Sequence, residues 1–470
     1  MSTAGPVSLD LAAVRAELDA AAEGGGEVQA LGLGQVIDGD GTLDGLPAAV
    51  AALAGDGGGP VIVLAAATSM TAGGRDLRDA VSGLLGDPRW VTVGPASGDL
   101  HADEATVAAA RAACDGARCV VSVGSGTLTD IGKAAAPDWV PLVAVQTATS
   151  VNGYSDPFSV LLRTGVKRTT PSRWPDVLVI DPAVLAGAPA ELNRAGLGDL
   201  VSMFTCTADW YLAGAVGLDP TYSPAVAGLN RRYGERLLEL AAGDLLSPAS
   251  LAELARILTL SGIAMGVAGS TAPSSGMEHM ISHLLEMAAG ARGQASSYHG
   301  TQVGVATLVA AATWARVRRA IDGGALGRPA VLPDPDQARD RITAAFKDLD
   351  ETGAMAAECF ADYSKKLRAL AAGDPLARLR DGWERHDAAL GAVLGEPAVL
   401  AAALRAAGLP DRFGALPEPV DDELARWAVA SSPLQRARFS VTDLAMLLGC
   451  WEDGDVDEVL AAAGVLAGPS

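Results

Sequence analysis

Cys119-Val120-Val121-Ser122-Val123-Gly124-Ser125-Gly126-Thr127-Leu128-Thr129-Asp130-Ile131-Gly132-Lys133 reads as a buried strand that turns tightly into a helix. The small residues Gly124, Ser125 and Gly126 let a backbone approach a phosphate, and the free amides and positive dipole end of the following helix favour an anion. The glycine spacing before Gly132-Lys133 rules out a Walker loop, and the third glycine of GxGxxG is missing. A tight strand-to-helix turn without a ligand is the competing reading. A second small-polar stretch, Gln146-Thr147-Ala148-Thr149-Ser150, follows the next apolar run. Two such edges at the carboxyl ends of neighbouring parallel strands favour dinucleotide binding.

Outward from this stretch, Val61-Ile62-Val63-Leu64, Trp90-Val91-Thr92-Val93, Leu142-Val143-Ala144-Val145 and Val177-Leu178-Val179-Ile180 are further buried strands, with helices expected over Arg75 to Leu85 and Asp103 to Asp115. Continuous apolar strands separated by helices give a parallel sheet covered on both faces. Phe158 to Thr170, with Thr164-Gly165 in its middle, fits a hairpin. From about Ala188, Ala/Leu-rich periodic segments dominate. The expected architecture is therefore an α/β Rossmann-like nucleotide-binding domain over residues 1–187, followed by an all-α domain over 188–470.

The chain has 470 residues, of which 49% are hydrophobic but only 4% aromatic. No run of about 18 strongly apolar residues suggests a membrane span, and Met1 to Pro6 does not resemble the start of a secretory signal. The net charge of −21 and pI near 4.6 disfavour nucleic acid and anionic lipid as partners. Five scattered cysteines without a CxxC pair fit reduced thiols in a cytoplasmic protein.

Histidine is scarce, with five in the chain, yet His279, His283 and His299 lie close together. On a helix, Met277, Met280, Ile281, Leu284 and Leu285 form an apolar face, while His279, His283 and Glu286 share a polar strip. A solvated helix face is the bland alternative. Two imidazoles and a carboxylate leave an open position on a divalent metal, as a catalytic site needs. Asp199, after the glycines of Ala195-Gly196-Leu197-Gly198, is one acidic candidate among 56. The order HxxxH without HExxH disfavours a zincin protease.

Taken together, these motifs resemble the iron-alcohol-dehydrogenase and dehydroquinate-synthase superfamily, and within it the bacterial branch of the glycerol-1-phosphate dehydrogenases. The matching segments are Gly124-Ser125-Gly126 with Asp130 and Lys133, Thr147 with Ser150, and Asn152-Gly153-Tyr154. They continue through Ala195-Gly196-Leu197-Gly198-Asp199, Ala208-Asp209-Trp210, Ser275-Gly276-Met277-Glu278-His279 with Ser282-His283, and His299-Gly300. The likeness spans roughly residues 30 to 310 and weakens through Arg436-Ala437-Arg438.

The resemblance implies a metal on Asp199, His279 and His299 in a cleft between two domains. Zinc is usual, nickel occurs in the bacterial branch, and iron fits the same ligands. It implies NAD or NADP held by Gly124, Ser125, Gly126, Asp130, Thr147 and Ser150. A small phosphorylated substrate would meet Asn152, Asp156, Lys133 and Lys167, with His283 as proton relay or anion contact. Asn152 agrees with bacterial members rather than archaeal ones. One departure concerns the stretch Leu64-Ala65-Ala66-Ala67-Thr68, which lacks the acidic residue that often binds the adenosine ribose, so NADP is permitted.

The expected function is NAD(P)H-linked, metal-dependent reduction of a small phosphorylated ketone, glycerone phosphate to sn-glycerol 1-phosphate above others, in phospholipid metabolism. A dehydroquinate-synthase-like cyclase or lyase with retained NAD is a rival. A dehydrogenase for another aldehyde, ketone or phosphonate is a second, and a non-catalytic binding protein a third. A homo-oligomer, dimer or larger, is expected.

Overall fold

The computed structural model describes residues 7, 9–23, 28–55, 57–96, 100–163 and 166–466. Six strands form one parallel sheet: β1 (Gln35–Asp38), β2 (Val61–Ala65), β3 (Arg89–Thr92), β4 (Cys119–Gly124), β5 (Leu142–Gln146) and β6 (Val177–Ile180). Their order across the sheet is β1-β6-β5-β4-β2-β3. Side chains alternate between two cores, as the period of a strand requires. Val61, Val63, Val121, Val123, Val143 and Val145 pack with Leu77 and Val81 on one face. Ile62, Leu64, Val120 and Leu142 pack with Leu128, Ile131 and Ala110 on the other. Burial on both sides explains why these strands read as unbroken apolar runs.

From β2 the chain goes outward to β3, then crosses back to β4 on the other side of β2. The order reverses between β2 and β4, so the Gly124-Ser125-Gly126 turn sits at the topological switch point, where open α/β sheets bind ligands. The helices expected over Arg75 to Leu85 and Asp103 to Asp115 run over Leu77–Leu85 and Glu104–Ala113, each opened by an aspartate N-cap, Asp76 and Asp103. Arg75-Asp76 instead pairs with Thr71-Ala72 in a two-stranded ribbon. Strand β1 was not expected. Its Gln35-Val36-Ile37-Asp38 is short, follows Gly32 and Gly34, and has no fully buried residue. The hairpin is present as strands Phe158–Arg163 and Val166–Pro171, and its Thr164-Gly165 tip lies outside the described residues.

Two compact units result: residues 1–163, 167–197 and 235–269, and residues 164–166, 198–234 and 270–470. The expected division at 187/188 does not coincide with them. The Pro248–Ala268 helix, placed by sequence in the helical part, belongs to the sheet unit. It packs on the Pro182–Leu185 turn, its Ser261 accepts from Asn152 Nδ2 at 3.1 Å, and its Arg256 pairs with Asp38 at 2.5 Å. Among the described residues it is the one helix long and apolar enough to cross a membrane, and 94% of that apolar window is buried within the protein. Its composition is that of a core helix, mostly apolar, with Glu253 and Arg256 in ion pairs. The second unit is helical and includes Met203–Ala215, Met277–Ala291 and His299–Asp322. No two of the five cysteines form a disulfide.

Candidate metal centre

Asp199 lies on the Ala190–Val201 helix, His279 in the first turn of Met277–Ala291, and His299 opens His299–Asp322. One ligand atom from each falls within 4.8 Å of the others. His279 Nε2 is 3.3 Å and His299 Nε2 3.9 Å from Asp199 Oδ1. Both carboxylate oxygens of Asp199 are buried without a hydrogen bond. An ionised carboxylate in that state is strongly unfavourable unless a cation accompanies it. The orphaned oxygens and the two converging imidazole nitrogens therefore fit one divalent ion.

The far ring nitrogens are held by acceptors. His279 Nδ1 lies 3.0 Å from Glu278 Oε1, and His299 Nδ1 lies 3.3 Å from Glu286 Oε1 and 3.2 Å from Ser282 Oγ. A proton on each Nδ1 leaves Nε2 as the lone-pair nitrogen, the arrangement found in carboxylate–histidine–metal triads. Glu278 is itself fixed by Gly276 N at 2.6 Å and Thr205 Oγ1 at 2.8 Å. Burial disfavours the imidazolium of His279, but Asp199 and Glu278 overcome that and push its pKa up to about 9. The site attracts positive charge, as a metal site must.

His283 lies one turn beyond His279, and its ring stacks on His299 at 5.3 Å between centroids. Its Nδ1 accepts from Arg436 Nη2 at 2.7 Å. The solvated-face reading of this helix fails, since His279 and His283 are only 7% and 5% exposed. Sequence reasoning assigned no role to Glu278, Glu286, Ser282 or Arg436. Glu286 stood on the recognised polar strip. Arg436 carried no local signal, because it reaches His283 from 153 residues along the chain.

In the sheet unit, Gly124 ends β4 and Ser125 caps the Gly126–Ala135 helix without a side-chain bond to it. The Tyr154 hydroxyl oxygen accepts from the Gly126 amide, and the helix directs its positive dipole end to this turn. Thr147 N donates to Gly124 O at 3.2 Å, joining the two small-polar edges. Ser150 Oγ lies 3.3 Å from the Tyr154 hydroxyl. A Cβ at Gly126 would collide with Val151 Cγ2, so this glycine also serves interior packing.

Lys133, Asp130 and Asp156 do not present themselves to a ligand as expected. The Lys133 ammonium is fully buried and lies 3.0 Å from Asp156 Oδ1 and 3.3 Å from Asp130 Oδ1. It also donates to Gly153 O at 2.7 Å and to Phe158 O. Those acceptors use up its three protons, so it has none for a phosphate. Asp156 also accepts from Phe158 N at 2.7 Å, and Asp130 from Val160 N at 3.2 Å. The trio ties the helix after the glycine turn to the hairpin. Lys167 lies partly buried on the second hairpin strand.

This trio carries a pH signature. Burial pushes the Asp130 carboxyl up from 3.8 to about 6, with Lys133 opposing and Asp156 adding to the rise. A raised carboxylate pKa means that the folded state holds the proton more tightly than the unfolded one. Its contribution to stability is therefore lost as pH rises from near 4 through about 6. Asp130→Asn should gain on the wild type across that window by on the order of 2 kcal/mol. Urea unfolding of both proteins at pH 4.5 and pH 7.5 measures this, and a pH-independent difference would refute it.

Residues 30–189 match the family model described as iron-containing alcohol dehydrogenase. Among curated proteins, the chain is 32% identical to a glycerol-1-phosphate dehydrogenase [NAD(P)+] of Haloquadratum walsbyi, over 70% of this chain and 96% of that one. A Bacillus licheniformis protein of the same name is 30% identical over 58% of this chain and 71% of its own. The Methanothrix thermoacetophila protein of that name is 32% identical, and the match spans 64% of its length. Among solved structures, an iron-containing alcohol dehydrogenase from Thermotoga maritima superposes with a TM-score of 0.55 at 14% identity, covering 92% of this chain and 98% of its own. Maleylacetate reductase from Rhizobium sp. gives 0.55 at 18%, covering 94% and 99%. At such identities the structures establish the fold, while the curated relatives establish the family. The glycine turn at the switch point and the Asp–His–His cluster thus belong to an NAD(P)-linked oxidoreductase, and the chain is a member of the glycerol-1-phosphate dehydrogenase family of iron-containing alcohol dehydrogenases.

Proposed function

We propose that this protein reduces a small phosphorylated ketone with NAD(P)H, and specifically converts glycerone phosphate to sn-glycerol 1-phosphate. The observation that carries this reading is the buried, hydrogen-bond-orphaned Asp199 carboxylate facing His279 and His299. A divalent ion held by these three side chains supplies Lewis acidity to a carbonyl oxygen. Glu278, Glu286 and Ser282 keep the two rings turned so that Nε2 faces inward. Gly124, Ser125 and Gly126 allow close backbone approach to a pyrophosphate at the N-terminus of the helix that follows. Reduction adds a hydride to the carbonyl carbon and a proton to its oxygen. With Nδ1 accepting from Arg436, His283 has Nε2–H left to donate, and we assign that group as a hydrogen-bond donor to the carbonyl oxygen, with the proton of the product hydroxyl drawn from solvent.

The test is a ketone panel with NADH and NADPH, followed by absorbance at the reduced nicotinamide band, with elemental analysis of the same protein. Net consumption of added NAD(P)H by glycerone phosphate, and about one divalent ion per chain, are expected. No net consumption with any ketone would favour a cyclase that regenerates its NAD.

Cofactor preference follows from the end of β2. The strand stops at Ala65, with Ala66 partly buried and Ala67 exposed. With no carboxylate there, NADPH should be accepted at least as well as NADH. Ala66→Asp should penalise NADPH relative to NADH by roughly 1–3 kcal/mol through repulsion of the 2′-phosphate. Catalytic efficiencies for both cofactors decide it, and a wild type that strongly prefers NADH would show that another residue holds the ribose.

A further inference from the structure

Lys133, expected to bind the substrate's negative charge, is committed to buried acceptors, which leaves the question of what binds that charge. Arg436, in the C-terminal part of the chain, reaches the histidines of the candidate metal centre. It lies in the irregular stretch between the Ser432–Leu434 turn and the Val441–Leu447 helix, and is 8% exposed. Its Nη2 donates to His283 Nδ1 at 2.7 Å, and His283 stacks on His299. One imidazole therefore separates the guanidinium from a ligand of the proposed metal centre. The neighbouring Arg438 is spent elsewhere, donating to Ser275 O at 2.6 Å and to Thr271 Oγ1 at 2.5 Å.

The stretch is irregular yet firmly held. Lys366 Nζ donates to Pro433 O at 2.8 Å and Arg438 O at 3.1 Å, and pairs with Asp443 at 2.6 Å. Both partners of that pair are buried, at 1% and 3% side-chain exposure. Ala437 N donates to Asp362 Oδ2 at 3.0 Å. Val441 N donates to Asp209 Oδ1 at 3.0 Å, and Asp209 also accepts from Met277 N at 2.9 Å and Trp314 Nε1 at 3.0 Å. Met277 begins the helix of His279, and Trp314 lies on the helix of His299. One carboxylate thus references the arginine loop to both histidine helices. A buried ion pair adds little net stability, but it fixes position, and a recognition group needs fixed position.

We propose that Arg436 binds the phosphate of the substrate, with the Lys366–Asp443 pair and Asp209 as positioning residues for it. A planar guanidinium offers paired donors to a phosphate. This assignment rests on the phosphorylated-ketone reading above. The experiment uses metal-loaded full-length protein as wild type, Arg436→Gln, Arg436→Lys, and Arg426→Gln, a surface charge control that removes the exposed pair with Asp457. Two quantities are read: the kcat/KM ratio of dihydroxyacetone phosphate to dihydroxyacetone, and the calorimetric Kd for inorganic phosphate.

Arg436→Gln should lower the ratio and weaken phosphate binding by about tenfold or more, the loss expected for a charge-assisted hydrogen bond to an anion. Arg436→Lys should recover part of both, and Arg426→Gln should alter neither. An equal loss on both ketones, or phosphate affinity in Arg436→Gln within about twofold of wild type, would overturn the assignment. A wild type that binds phosphate through Arg436 yet reduces only unphosphorylated ketones would overturn the substrate reading while leaving the anion site standing.

Discussion

His279→Ala should abolish metal binding and lower kcat/KM on the order of a thousandfold or more, because loss of the Lewis acid removes several kcal/mol of transition-state stabilisation. The argument rests on the ligand count. With His279 gone, Asp199 and His299 leave a two-ligand site, one short of the three protein ligands that catalytic zinc sites use. The buried Asp199 carboxylate then loses both its cation and the imidazole that stands 3.3 Å away. The cost to the fold is smaller, since truncating a buried imidazole that packs on His299 at 5.2 Å opens a cavity without breaking the helix. The variant should therefore stay folded by circular dichroism and melt cooperatively. Elemental analysis decides the point: full occupancy in His279→Ala would remove His279 from the ligand set. Chelation of the wild type should also lower Tm, because binding to the folded state alone stabilises it by mass action.

The sheet was legible because its physics is local. Strands buried on both faces must be apolar along their length, and β2, β4, β5 and β6 all announced themselves in that way. β1 did not, because an edge strand of four partly exposed residues has no such requirement. The unit boundary was misplaced for a related reason. The Pro248–Ala268 helix is mostly apolar and looks like any core helix, and nothing in its composition says which core it joins. At the metal centre, the histidines were legible through scarcity and closeness in the sequence, with His279 and His283 spaced on one helix and His299 opening the next. Asp199 needed the family resemblance, since spacing alone could not choose it from the other acidic residues. Arg436 and the Lys366–Asp443 pair were beyond sequence reading because their partners are distant in the chain. The intended role of Lys133 failed on burial: a lysine near a glycine turn suggests an anion contact, but here two carboxylates and two carbonyls surround it.

Gly198→Ala should cost both stability and metal affinity, although helix propensity alone favours alanine by about 1 kcal/mol. Gly198 sits in the helix of Asp199, one residue before it, and a Cβ there would collide with the carbonyl oxygen of Gly300. Gly300 follows His299 directly, and Gly304, one turn on, would bring a Cβ to 3.3 Å from Gly198 Cα. Gly198 and Gly304 let two helix backbones approach more closely than side chains would permit. That approach sets the distance between Asp199 and His299. A backbone carbonyl cannot swing aside like a flexible side chain, so the helices must separate, and overpacking of this kind costs about 1–3 kcal/mol. A displacement near 1 Å spreads the three ligand atoms, and misplacement on that scale can cost on the order of a hundredfold in function. Gly304→Ala, whose nearest contacts are 3.1 and 3.3 Å, should show the same effects in weaker form. Chelator competition gives the metal affinity of each variant, and thermal melts with and without metal give the stability. If Gly198→Ala binds metal as tightly as wild type, the close helix crossing does not set the ligand geometry. If it loses affinity while its metal-free melt stays within a few degrees of wild type, the crossing acts on the site itself rather than through global unfolding.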